Sequence, residues 1–212
     1  MILARVICLV AGYAFGLLQT SYIYGRMKGI DIREHGSGNA GTTNALRVLG
    51  KKAGLIVFIG DLFKAIIISA IVHVVIGHLY PNEVYLYLAY AGLGTVLGHN
   101  FPCYLHFKGG KGIAVGLGVI CAWYWPIGLS LLGFFIVDVA ITKYVSVGSL
   151  AAAIGLPIAT ICVFPYASVW LKLIMAVIGI TVVWAHRANI KKLMAGKESK
   201  LSFTKRVTEP DK

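Results

Sequence analysis

The sequence predicts an all-α integral membrane protein of about seven transmembrane helices, with its N-terminus outside and its C-terminus in the cytoplasm. Three observations carry that prediction. The 212-residue chain is 58% hydrophobic and only 13% charged, against the roughly 25% charged residues of a soluble domain. Its apolar residues gather in runs at about 3–25, 54–79, 84–101, 112–125, 127–142, 145–164 and 168–186, and about 20 such residues cross the hydrocarbon core. The basic residues, finally, keep to alternate connections between those runs.

The runs can be justified in order. The first resembles a secretory signal, but it lacks a small-residue cleavage site before Arg26 and further spans follow, so it is a retained helix. The second carries Asp61 and Lys64 at i, i+3, a spacing that puts opposite charges on one helix face. The fourth and fifth are separated only by a short connection near 126. Asp138 in the fifth is costly in lipid unless paired or functional. Cys8, Cys103, Cys121 and Cys162 are scattered among apolar residues with no C-x-x-C pair, which reads as packing.

Charge orients the helices. Arg26, Lys28, Arg33, Arg47, Lys51 and Lys52 follow the first run, Lys108 and Lys111 the third, and Lys143 the fifth; Arg187, Lys191, Lys192, Lys197, Lys200, Lys205, Arg206 and Lys212 fill the tail. The other connections, near 80–83, 126 and 165–167, hold no Lys or Arg. By the positive-inside rule the basic connections are cytoplasmic. The net charge of +12 is then explained by topology and attraction to anionic membrane lipids, with no nucleic acid needed. One transmembrane domain over 1–198 and a basic polar cytoplasmic tail over 199–212 follow.

These basic connections are also rich in Gly, Ser, Thr, Asn and His. They read HGSGNAGTTNALR (35–47), GHNFPCYLHFKGGKG (98–112), TKYVSVGS (142–149) and HRANIKKLMAGKE (186–198). Gly36, Gly38 and Gly41 spell G-x-G-x-x-G, but a dinucleotide turn needs a preceding strand within a βαβ unit, and here a spanning helix precedes. The glycines instead allow backbone N–H groups to converge on an oxyanion. Ser37, Asn39, Thr42, Thr43 and Asn44 add hydrogen-bonding groups, and Arg47 a charged fork suited to phosphate. KGGKG repeats this chemistry, with Lys108 and Lys111 flanking Gly109 and Gly110 before a helix N-terminus at Gly112. It is no Walker A loop, because Leu105 and Gly112 stand where Gly and Ser or Thr are required.

Other chemistries find no support. His78 and Glu83 make an H-x4-E, yet on the opposite face from every other polar cluster. His35, His99, His106 and His186 lack metal-ligand spacing, so no metal is expected. There is no G-x-S-x-G elbow for a covalent serine mechanism.

Taken together and in this order, the four stretches resemble those of the bacterial acyl-phosphate:glycerol-3-phosphate acyltransferases, the PlsY family, across residues 5–198. Ala40, Val115 and Ala188 depart from the proline, threonine and glutamate common at those positions. The resemblance implies transfer of a fatty acyl group from acyl phosphate to the sn-1 hydroxyl of glycerol 3-phosphate, giving lysophosphatidic acid and inorganic phosphate. It implies a phosphate pocket formed by Ser37, Arg47, Lys111, Ser149, His186 and Asn189 with His99 beside it, and a glycerol 3-phosphate loop at Gly109–Gly112. These are the candidate catalytic and binding residues, with Gly36, Gly38, Asn39, Thr43, Asn44 and Lys108 added from the residues themselves. No cofactor is implied; the partners are the two substrates and the lipids of a bacterial inner membrane. The hydroxyl proton goes to a histidine, His99 or His186, or to a substrate phosphate, the route the family favours. The oligomeric state stays open, a monomer included. The competing reading is a transporter for a phosphorylated solute, but such proteins place their sites near the bilayer midplane between repeats, and no repeat is visible here.

Overall fold

The computed structural model describes residues 2–201, and every regular element among them is helical. In chain order these are α1 (Ile2–Gly16), α2 (Thr20–Met27), α3 (Thr42–Leu49), α4 (Lys51–Leu79), α5 (Val84–Asn100), α6 (Ile113–Thr142), α7 (Val145–Val163), α8 (Val169–Ala185) and α9 (Arg187–Met194), with short 3-10 turns at Ile32–Glu34, Pro81–Glu83 and Cys103–Leu105.

The first apolar run is not one helix. It stops at Gly16 and resumes at Thr20, and the Gly16 and Leu18 carbonyls accept from the Lys64 ammonium of α4, at 3.4 and 2.6 Å. Irregular backbone at membrane depth is tolerated only where its polar groups are satisfied inside the protein. Lys64 does this here, together with Gln19, whose amide donates to the Gly16 carbonyl at 3.3 Å and across to the His99 carbonyl at 2.9 Å.

α1 and α5 touch backbone to backbone. Each carries a G-x-x-x-G, Gly12 with Gly16 and Gly94 with Gly98, and these face one another. A Cβ at Gly12 would collide with the Ala91 carbonyl, at Gly16 with that of Thr95, at Gly94 with that of Leu9, and at Gly98 with that of Tyr13. In lipid, where apolar side chains gain little by leaving one solvent for a similar one, such close approach is what holds helices together.

The runs predicted at 112–125 and 127–142 are two limbs of α6. Tyr124 leaves the helical region (φ −157°, ψ 94°) just ahead of Pro126, whose missing N–H and bulky ring disrupt the preceding turn. A Cβ on Gly128 would stand 3.0 Å from the Cys121 amide nitrogen, whereas residues seven apart in a straight helix are about 10 Å apart. The chain therefore reverses at Tyr124.

Four segments are long and apolar enough to cross a membrane: Ile2–Met27 taken through its break, Lys51–Leu79, Ile113–Thr142 and Val145–Val163. A fifth, Val169–Ala185 with Arg187–Met194, qualifies if its 56° bend belongs to one span. The all-helical, multi-span character is as predicted, while four or five segments, and not seven, qualify as spans by length and composition among the described residues. α5 is shorter than the others, and the reversal at Tyr124 splits one long segment into two limbs. In the four spans only 22–39% of the most apolar stretch is buried, so apolar side chains such as Leu3, Val74, Phe134, Ile141 and Ile180 face outward. That inverted surface fits lipid.

His78 and Glu83 stand at the far end of α4 from its junction with α3; Glu83 pairs with Arg5 at 3.4 Å. Asp138 lies half-buried on α6 beside a largely apolar groove against α7. Most of the basic tail, with Lys205, Arg206 and Lys212, falls outside the described residues. Its first part does not trail away, since the Leu201 amide donates to the Lys143 carbonyl at 2.7 Å.

The glycine contacts make a direct prediction. Gly98→Ala forces a Cβ onto a backbone carbonyl and should destabilise the protein by about 1–3 kcal/mol, the usual cost of overpacking. Gly133→Ala, where a Cβ meets nothing within 4 Å, should be neutral or stabilising by about 0.5–1 kcal/mol through helix propensity. Thermal unfolding in detergent distinguishes the two, and equal shifts would contradict the packing account.

Candidate active site

The four polar connections, far apart in sequence, meet in one cavity of about 740 Å³. Each is built locally for the purpose. In the first, Gly36 and Gly38 adopt left-handed φ of 63° and 70°, a region that residues bearing a Cβ rarely enter. Asn44, 1% exposed, ties the loop together. Its oxygen accepts from the Ser37 amide at 2.8 Å, and its nitrogen donates to the carbonyls of Ile32 at 3.1 Å and His35 at 2.9 Å. Asn44 is therefore the frame of the loop and not a free phosphate ligand. Among the described residues Arg47, in the last turn of α3, has no hydrogen bond or ion pair from its side chain, so its guanidinium donors face the cavity uncommitted. No strand precedes the glycines among the described residues, so the dinucleotide pattern has no structural basis.

The second connection is docked on the end of α5. The Gly109 amide donates to the Asn100 carbonyl at 3.2 Å and the Gly110 amide to the His99 carbonyl at 3.0 Å. A Cβ on Gly109 would collide with that carbonyl and one on Gly110 with His99 Nε2. Here sequence and structure differ. Lys108, Gly109, Gly110 and Gly38 do not line the cavity; the paired glycines are needed because the turn packs against α5, and Lys108 points away into solvent. Lys111 does line it, and burial pulls its ammonium down to about 8, helped by the nearby cations Lys192 and Arg47 and opposed by Glu198.

The remaining connections complete the polar end. Lys111 Nζ donates to Asn189 Oδ1 at 2.5 Å, Asn189 Nδ2 donates to Glu198 Oε1 at 2.8 Å, and Ser146 Oγ donates to the same oxygen at 3.2 Å. Ser149, 1% exposed, donates back to the Val145 carbonyl at 2.8 Å. His186, at the junction of α8 and α9, places Nδ1 2.8 Å from the Val182 carbonyl. A carbonyl only accepts, so Nδ1 carries the proton and Nε2 of the neutral ring has a free lone pair. His99 lies at the cavity wall with Nδ1 3.0 Å from Lys64 Nζ.

Of the sequence-predicted residues, Gly36, Ser37, Asn39, Thr43, Asn44, Arg47, His99, Lys111, Gly112, Ser149, His186 and Asn189 are brought together at this cavity. Sequence reasoning overlooked the parts played by Asp61, Lys64, Ser146 and Glu198. Charges inside an apolar run are the signal that marks Asp61 and Lys64. Glu198 carries a weaker one, as a lone acid within a basic segment. Away from the polar end the cavity turns apolar, between Phe58, Leu117, Ile120, Leu131, Phe135, Leu156 and Ile178. Ile120 is eight residues beyond Gly112, about 12 Å down the helix. A cationic, glycine-rich head opening onto an apolar cleft suits a molecule with a phosphate at one end and a hydrocarbon chain at the other. Among the described residues no cluster of His, Cys, Asp and Glu could hold a metal ion.

The chain is similar to known proteins over most of its length. The family model described as glycerol-3-phosphate acyltransferase matches residues 6–196. A glycerol-3-phosphate acyltransferase of Prochlorococcus marinus (strain MIT 9301) is 40% identical over 204 residues, covering 94% of this chain and 99% of that protein. One from Clostridioides difficile (strain 630) is 41% identical over 205 residues, covering 96% and 98%. Among solved structures, the integral membrane glycerol 3-phosphate acyltransferase PlsY in its glycerol 3-phosphate form superposes with a TM-score of 0.83 at 31% identity, covering 93% of this chain and 96% of that one. Its lysophosphatidic acid form gives 0.81 at 30% identity, covering 94% and 96%.

The depressed Lys111 makes anion binding pH-dependent. Below about 8 the ammonium is charged and able to attract an anion; above it the charge is lost, because burial has already lowered the affinity for the proton. Inorganic phosphate affinity, measured by calorimetry, should fall by up to about tenfold per pH unit above this point. Lys111→Arg, always charged, should flatten that limb, and an unchanged limb in the variant would assign it elsewhere.

Proposed function

The chain belongs to the glycerol-3-phosphate acyltransferase family, and on that premise we propose that it transfers a fatty acyl group from acyl phosphate to the sn-1 hydroxyl of glycerol 3-phosphate, releasing lysophosphatidic acid and inorganic phosphate. The observation that carries the donor is the single cavity with a cationic head and an apolar cleft. Both substrates bear phosphate, and only the donor brings a long chain.

In this reading the glycine loop with Ser37 and Arg47 on one side, and Lys111, Ser149 and Asn189 on the other, hold the two phosphates side by side. The glycerol hydroxyl oxygen attacks the acyl carbonyl carbon, the bond from that carbon to the phosphate oxygen breaks, and phosphate leaves with the electron pair. Because an acyl phosphate is a mixed anhydride with a good leaving group, positioning and stabilisation of the developing oxyanion supply the acceleration without a covalent enzyme intermediate. A substrate phosphate takes the hydroxyl proton. If a protein group did so instead, the geometry would favour His186, whose Nε2 lone pair is uncommitted.

The membrane placement belongs to the same proposal. α1 with α2, then α4, α5, the two limbs of α6, α7 and α8 make seven passes, with the basic connections and the site on the cytoplasmic side of a bacterial inner membrane and the N-terminus outside. Residues 1–198 form the enzyme domain, and the tail beyond it touches anionic headgroups.

The test is phosphate release from palmitoyl phosphate by the purified protein in lipid, with and without glycerol 3-phosphate, and with lysophosphatidic acid measured alongside. Release should require glycerol 3-phosphate and match product one to one. Arg47→Ala removes a charge-assisted contact of about 1.5–3 kcal/mol and should lower kcat/KM by about 10- to 150-fold. Folded, lipid-embedded protein that makes no product would refute the assignment.

A further inference from the structure

Lys64 is 4% exposed and sits in the middle of α4, yet four acceptors surround its ammonium. Leu18 O lies at 2.6 Å, Asp61 Oδ1 at 3.0 Å, His99 Nδ1 at 3.0 Å and Gly16 O at 3.4 Å. Thr20 Oγ1 donates to the same Asp61 oxygen at 3.1 Å. An ammonium has three donors and no acceptor. The contact with the Asp61 carboxylate at 3.0 Å marks the amine as an ammonium; a carbonyl and a carboxylate take two of its protons, and the third points at His99 Nδ1. That nitrogen must then be bare, and the proton of the neutral imidazole is on Nε2.

Nε2 makes no hydrogen bond within the described residues. It lies against Gly110, the residue before Lys111, at a site where any Cβ would collide with it. His99 lines the cavity, and with Nδ1 turned to Lys64 its remaining ring nitrogen is the one available to a ligand there. The two site histidines thus show opposite faces: His186 a lone pair, His99 a proton.

We propose that Asp61 and Lys64 are positioning residues that lock His99 as a hydrogen-bond donor to the substrate phosphate held at Lys111, so that His99 is a substrate-binding donor and not the base that takes the glycerol hydroxyl proton. The phosphate ligand rests on the acyltransferase reading; the tautomer lock does not. The lock explains why two charges are buried in an apolar helix, where an unused ion pair is more often neutral or costly than stabilising.

The experiment has a spectroscopic arm and a kinetic arm. Nitrogen NMR of the ring-labelled histidines in lipid nanodiscs, with His99 assigned by subtraction of a His99→Gln sample, should report a bare Nδ1 and a protonated Nε2. In the double variant Asp61→Asn/Lys64→Met, which leaves no unpaired charge, the His99 signals should move to mixed tautomers and the KM for glycerol 3-phosphate should rise with a smaller change in kcat. Should that variant fail to fold, His99→Gln and His99→Phe decide. The glutamine amide can donate from the place of Nε2 and should keep turnover within about tenfold, while phenylalanine, which has no donor, should lose far more. A wild-type His99 protonated on Nδ1, or a folded His99→Gln as inactive as His99→Phe, would overturn the proposal. The NMR arm needs no substrate, so an inactive wild type with the expected spectrum would count against the acyltransferase reading alone and leave the lock standing.

Discussion

The contact on which the rest of the structure depends is the backbone-to-backbone packing of α1 on α5 through Gly12, Gly16, Gly94 and Gly98. With hydrogen in place of four side chains, the two helices come close enough that the end of α5 lies against the break after Gly16. The break frees carbonyls, the carbonyls hold Lys64, and Lys64 holds His99. The Gly109–Gly110 turn then docks on the same end of α5, which puts Lys111 in the cavity. A packing decision made within the bilayer thus sets the position of a cation at its surface.

The site must satisfy two demands that normally exclude each other. Phosphates call for exposed charge and a hydrocarbon chain for dry apolar walls, and the cavity meets both by grading from one to the other along α6, α7 and α8. Burial is the main reason Lys111 sheds its proton readily, and the nearby cations Lys192 and Arg47 add electrostatic cost to the empty site. An arriving dianion relieves that repulsion, so the empty state is raised relative to the occupied one. Glu198 moderates the strain meanwhile, with Asn189 and Ser146 holding its carboxylate within the same polar cluster.

Hydrogen-bond capacity, more than residue identity, divides the labour here. Asn44, chosen by composition as a ligand, has its amide committed to the loop it closes. Arg47 commits its side chain to no partner among the described residues and is therefore available. His99 and His186 are equivalent as letters, yet an ammonium beside one and a carbonyl beside the other give them opposite tautomers.

Sequence by itself determined what depends on composition and local spacing. The membrane class follows from the scarcity of charge, the helical class from the length of the apolar runs, and the anion-binding character of the four connections from glycines next to Arg47 and Lys111. The reversal at Tyr124 falls where the sequence leaves a gap between two apolar runs, beside Pro126. Tertiary structure alone decided the break in the first run, since only a cation arriving from α4 makes free carbonyls tolerable there. It alone separated Lys111 from Lys108, and the glycines that cradle from the glycines that merely pack. It alone turned Asp61 and Lys64, legible as a pair on one helix face, into a contact with His99, because burial and long-range partners are properties of the folded chain and of no single stretch of it.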